Sequence, residues 1–127
     1  MPLSDWLSST PAAEVGACPV RDVLDRIGDK WSVLVIGLLG GGPLRFMELQ
    51  RLIGLVSHRM LTRTLRGLER DGLITRTVHP VVPPRVDYEL TDLGRSLQSL
   101  LEQLAQWAFA HSAEVAAARA AYRDPQE

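Results

Sequence analysis

Between residues 19 and 39 the apolar positions fall at helical spacing. Val20, Val23, Leu24 and Ile27 come first, then Trp31, Leu34, Val35, Leu38 and Leu39. Recurrence at i, i+3 and i+4 marks two amphipathic helices. Pro19 suits the first helical position of one, and Gly28 closes it. Asp29 supplies an N-cap for the other. Gly40-Gly41-Gly42-Pro43 then breaks the chain. No Gly-Lys-Ser/Thr follows these glycines, so they read as a loop and not as a phosphate cradle. Leu44-Arg45 has the length of one short strand. Phe46, Leu49, Leu52 and Ile53 are expected to face inward on a third helix, which stops at Gly54-Leu55-Val56. A turn of that length joins the two helices of a helix-turn-helix. Ser57 caps the next helix, which runs to about Asp71 and ends at Gly72.

The period changes after Gly72. Ile74 to Val82 reads as extended chain, Pro83-Pro84 as a turn and Arg85 to Leu90 as a second strand. Two strands after a helix-turn-helix make a wing. Thr91 caps a long final helix whose positions Leu93, Leu97, Leu100, Leu104, Trp107 and His111 are spaced 4, 3, 4, 3, 4, with Leu101 and Ala108 alongside. That is a heptad seam, and it predicts a dimer interface. The other reading is a stripe packed on the chain's own core. The fold class expected is mainly α (α+β), a winged helix-turn-helix with a two-stranded wing and a long C-terminal dimerisation helix. Residues 1–17, rich in Ser, Pro and Ala, are expected to form a flexible arm. Residues 18–112 would form the domain with its dimerisation helix, and 113–127 a helix extension or tail.

Charge sharpens the picture. The net charge of −1 argues against nucleic acid as a partner, but its distribution reverses that. From Arg45 to Arg85 lie eight arginines against three acids, a balance of +5, while the rest of the chain has six basic residues against twelve acids, a balance of −6. A basic centre between acidic ends is the footprint of a DNA-binding protein. The Ser57–Asp71 helix concentrates it. At about 100° per residue, Arg59, Thr62, Arg63, Arg66 and Arg70 share one face, and Leu61, Leu65 and Leu68 take the opposite one. A salt-bridged solvent face would intersperse acids at four-residue spacing, and only Glu69 lies near. Arginine offers a planar fork for guanine or phosphate. His58, Arg59, Thr62 and Arg63 occupy the first two turns, where a recognition helix reaches base edges. Arg66 and Arg70 are placed to meet phosphates. Arg45, Ser57, Arg76 and Arg85 complete the set of DNA-binding candidates, the last two on the wing.

Other chemistries find little support. His58, His79 and His111 with one cysteine show no metal-ligand spacing. No Ser/His/Asp or paired-carboxylate grouping stands out, so neither an active site nor a cofactor is expected. The longest apolar run, Trp31 to Leu39, is short of the ~20 residues a bilayer span needs. No basic, apolar and small-residue succession opens the chain. A lone cysteine forms no internal disulfide, and together these predict a cytoplasmic protein.

Taken in order, several motifs resemble one family. They are Cys18-Pro19, Gly28-Asp29-Lys30-Trp31, Leu44-Arg45-Phe46-Met47-Glu48-Leu49, Ser57-His58-Arg59-Met60-Leu61-Thr62, Leu68-Glu69-Arg70-Asp71-Gly72-Leu73-Ile74 and Pro83-Pro84-Arg85-Val86-Asp87-Tyr88-Glu89-Leu90-Thr91. From about Cys18 to His111 the chain resembles the HxlR-type regulators, relatives of the MarR group. The resemblance implies a winged-helix homodimer joined through terminal helices on double-stranded, inverted-repeat DNA. It also implies, from several members, that the cysteine at the Cys18 position senses quinones, aldehydes or oxidants. The residues alone leave two readings of Cys18 open. At the mouth of a helix begun by Pro19, a thiol near unpaired backbone N–H groups is favoured as thiolate. Free cysteine is also among the most buried residue types. The alternative function is a winged-helix module whose basic face meets an acidic protein.

Overall fold

The computed structural model describes residues 2, 4, 5 and 19–125. Cys18 and most of the arm at 1–17 lie outside the described residues. Helix α1 spans Pro19–Ile27 and α2 Lys30–Leu39; β1 is Leu44–Arg45, α3 Phe46–Ile53 and α4 His58–Arg70. Strands β2 (Ile74–His79) and β3 (Arg85–Leu90) follow, and α5 runs from Asp92 to Ala121. This is a helix-rich winged helix-turn-helix with a small antiparallel sheet, ordered β1-β3-β2.

Helix α2 is the centre of the core. Its Val35, Ile36 and Leu39 are fully buried against Leu49 of α3 and Leu61, Leu65 and Leu68 of α4. Leu73, Ile74, Tyr88 and Leu90 close the core from the sheet side. Two inward expectations fail: Leu34 is 44% exposed and Leu52 56%. Both lie at the rim of an apolar stripe wider than the surface this one chain lays over it. Val23 and Leu24 of α1 are likewise exposed.

Each expected cap is in place. Asp29 accepts from the Trp31 amide at 3.0 Å, Ser57 from that of Met60 at 3.1 Å and Thr91 from that of Gly94 at 3.0 Å. A side-chain oxygen satisfies an amide that the helix leaves orphaned. Thr91 does more, because its hydroxyl donates to the Gly72 carbonyl at 2.6 Å while its own amide donates to Leu73. The end of α4 is thereby tied to the start of α5. Gly72, at φ 74°, turns the chain out of α4 in the left-handed region that glycine tolerates. Gly94 is buried where a Cβ would meet the Leu73 carbonyl, so α5 crosses backbone to backbone there.

The first wing strand ends at His79, not at Val82. The register pairs Ile74 with Leu90 through to His79 with Arg85, and β3 begins at Arg85. Residues 80–82 therefore have no partner to ladder with, and Pro80 has no amide to donate. The final helix runs on beyond residue 112 to Ala121.

Candidate nucleic-acid interface

Helix α4 is built to show one face. Leu61 and Leu68 are fully buried and Leu65 and Thr64 nearly so, and these anchor the helix on α2. His58, Arg59, Arg63, Arg66 and Arg70 are exposed on the other side, with Thr62 half-buried between. His58, Arg59, Thr62, Arg63 and Arg66 line one shallow concavity of about 540 Å³. Phe46 of α3 supports its N-terminal end, with its ring 4.5 Å from the His58 ring.

The wing extends this surface. A recess of about 450 Å³ between α4 and the sheet brings Arg76 of β2 beside Arg66 and Glu69 of α4, over a floor of Leu65, Val86 and Tyr88. A second, about 790 Å³, lies between the start of α3 and the wing turn, with Arg45 on one side and Arg85 on the other. Arg45 does two jobs. Its amide donates to Glu48 Oε1 at 3.0 Å, which caps α3, and its guanidinium Nε lies 3.8 Å from Asp87 Oδ1.

Sequence reasoning missed the hub of that cluster. Asp87 is half-buried, directly across the sheet from Arg45. His79 Nε2 donates to its Oδ2 at 2.9 Å, and Arg85 Nη2 approaches to 3.6 Å. The signal lies in the strand register: residues diagonal across an antiparallel pair come within reach of long side chains. A β2 running to Val82 hides that register. Among the described residues no group of His, Cys, Asp and Glu is arranged to hold a metal ion. No helix of the described residues is long and apolar enough to cross a membrane.

On α5 the expected seam divides. Leu97 and Leu101 pack against the chain's own core. Leu93, Leu100, Leu104 and Trp107 are 58%, 61%, 57% and 57% exposed. His111 stacks on Trp107 at 4.7 Å between centroids and donates from Nδ1 to the Trp107 carbonyl at 2.8 Å. A groove at the foot of this face runs between Val23 of α1 and Leu93 and Leu100 of α5, with Asp22, Arg26 and Asp71 also on its wall.

The HxlR-like helix-turn-helix family model matches residues 26–115. The chain belongs to this family. It is a DNA-binding transcription regulator of the HxlR type, with the winged-helix fold that its relatives share. An HTH-type transcriptional regulator of Methanothermobacter thermautotrophicus is 50% identical over 90 residues, 71% of this chain and 69% of that protein. Among solved structures, the regulator YtfH of Salmonella typhimurium superposes with a TM-score of 0.72 at 41% identity, covering 80% of this chain and 91% of that one. The redox regulator HypR in its reduced form gives 0.74 at 37% identity, covering 78% and 98%. This HxlR-type chain has its arginine face on the helix after the turn, flanked by Arg76 and Arg85 on the wing and by Arg45 on β1.

Proposed function

We propose that this regulator binds an inverted-repeat duplex as a homodimer, one α4 to each half-site. Arg59, Thr62 and Arg63 read base edges in the major groove. Arg66 and Arg70 further along α4, and Arg45, Arg76 and Arg85 around the wing, meet phosphates; Ser57 and His58 stand at the mouth of the helix. The segregation of α4 carries this reading: leucines fill the core on one side and arginines are exposed on the other. Groove recognition needs such an arrangement, since the helix must be anchored by one face and offer planar donors from the other. The second copy belongs on α5, where Leu93, Leu100, Leu104 and Trp107 form an apolar face that the single chain leaves uncovered, with His111 at its end.

Selection of duplexes from a randomised pool by the purified chain tests the reading. The expected product is a two-fold symmetric motif, and its binding constant should fall steeply with salt as phosphate counterions are released. A pool that yields no motif, with no retention on bulk DNA at low salt, replaces this reading with a protein-binding module.

Cys18 is proposed as the point at which an oxidant or electrophile acts. The support is the likeness to a protein described as a redox regulator and the presence of this one cysteine in the chain. Without a second cysteine, oxidation leads to a bond between subunits, a mixed disulfide with a small thiol or a sulfenic acid, and an electrophile leaves an adduct. Gel shifts of the selected duplex, with and without diamide and beside Cys18→Ser, decide it. An equal response in the serine variant reduces Cys18 to a packing residue.

A further inference from the structure

The last turn of α1 reaches the last turn of α4. Arg26 Nε donates to Asp71 Oδ2 at 2.6 Å, and the two side chains are 29% and 37% exposed. The same guanidinium lies over Gly67. A Cβ built at that position would stand 2.5 Å from Nη1, 3.0 Å from Cζ and 3.2 Å from Nη2.

Two oddities of α4 are explained by this one side chain. Glycine is disfavoured inside a helix, yet Gly67 sits in the interior of α4, between its buried Leu65 and Leu68. A side chain there would take the seat that the guanidinium holds. Asp71 is the C-cap of α4, at the negative end of the helix dipole, where a carboxylate is unfavourable. Arg26 brings the opposing charge. A pair this exposed contributes little to stability. Its contribution is direction, since a planar guanidinium seated on a glycine and hydrogen-bonded to a fixed carboxylate holds one orientation.

We infer that Arg26 is a positioning residue for sequence-specific DNA binding. By fastening the end of α4 to α1 it sets the angle at which Arg59, Thr62 and Arg63 enter the groove. Contacts to phosphate tolerate a small rotation of the helix through long, flexible side chains. Bidentate contacts to base edges do not. The inference rests on the reading of α4 as the recognition helix.

The test compares the full native chain with Arg26→Ala, Gly67→Ala and Arg26→Lys on two probes, the duplex selected by the native chain and a mixed-sequence duplex of equal length. Gly67→Ala is the decisive variant. Alanine is the better helix former, and the atoms it displaces are the flexible end of Arg26, so helix content and Tm should hold or rise while the guanidinium is unseated. Arg26→Ala and Gly67→Ala should each weaken the selected duplex about threefold to fivefold and the mixed duplex less than about 1.5-fold. Arg26→Lys, which keeps the charge without the planar fork, should fall between. Native affinity for the selected duplex in Gly67→Ala or in Arg26→Ala, or an equal loss on both duplexes, overturns the inference and leaves the recognition reading intact. A native chain that enriches no sequence overturns both.

Discussion

Replacing Leu100 and Leu104 together with glutamate perturbs the α5 face without touching the core of a single chain. Both leucines are more than half exposed, at 61% and 57%, so the isolated fold should tolerate the change. Full burial of a leucine is worth roughly 1.5–3 kcal/mol. Covering the exposed part of each by a partner would contribute about 1–2 kcal/mol. Two such residues on each of two subunits amount to roughly 4–8 kcal/mol, or about three to six powers of ten in the dimer dissociation constant. Burying unpaired carboxylates would add to that loss. Sedimentation should therefore find a native dimer and a double variant that is monomeric at the same concentration with its helical circular dichroism intact. Leu97 is the control. It packs, half-buried, on the core of its own chain, so Leu97→Glu should lower the unfolding midpoint of the chain, which the double variant leaves unchanged. A double variant that stays dimeric refutes the reasoning and moves the interface elsewhere.

Arg63→Ala should cost about 1–3 kcal/mol on the selected duplex and relax base preference at one position of each half-site, as read by competition gel shifts. Arg85→Ala should weaken all sequences alike and lower the slope of log K against log salt by about 0.9 for each phosphate left without its arginine. Asp87→Asn frees Arg45, His79 and Arg85 from their shared carboxylate, so affinity for mixed-sequence DNA should rise while the ratio of selected to mixed binding falls, checked by fluorescence anisotropy. Gly94→Ala should destabilise the fold in urea by about 3 kcal/mol or more, because its Cβ would overlap the Leu73 backbone carbonyl, which cannot swing aside, and alanine's helix propensity returns only about 1 kcal/mol.

The parts legible in the sequence are those set by local chemistry. Asp29, Ser57 and Thr91 announce three helix starts because a short polar side chain and the amides it satisfies lie within three residues of each other. The two faces of α4 follow from helical periodicity alone, and each leucine and arginine read from it stands where expected. What depends on distant partners is not legible. An apolar stripe does not reveal how much of it one chain covers, and so Leu34 and Leu52 obey the inward pattern while they lie at the surface. Leu97 and Leu100 both obey the heptad, and only the packing of α5 on α2 separates them. The Asp87 cluster depends on strand register, and the Arg26 clamp spans 45 residues of sequence, with nothing local to mark either.

If α4 lies in the major groove of two symmetric half-sites, a dimethyl sulfate footprint on the selected duplex will show it. The reagent methylates guanine N7, the atom that an arginine fork from α4 would cover. The account predicts two patches of protected guanines, related by two-fold symmetry, with centres ~10 base pairs or a multiple of it apart, and loss of part of each patch in Arg63→Ala. Guanines that remain fully reactive throughout the bound duplex, or a single unsymmetric patch, would contradict it.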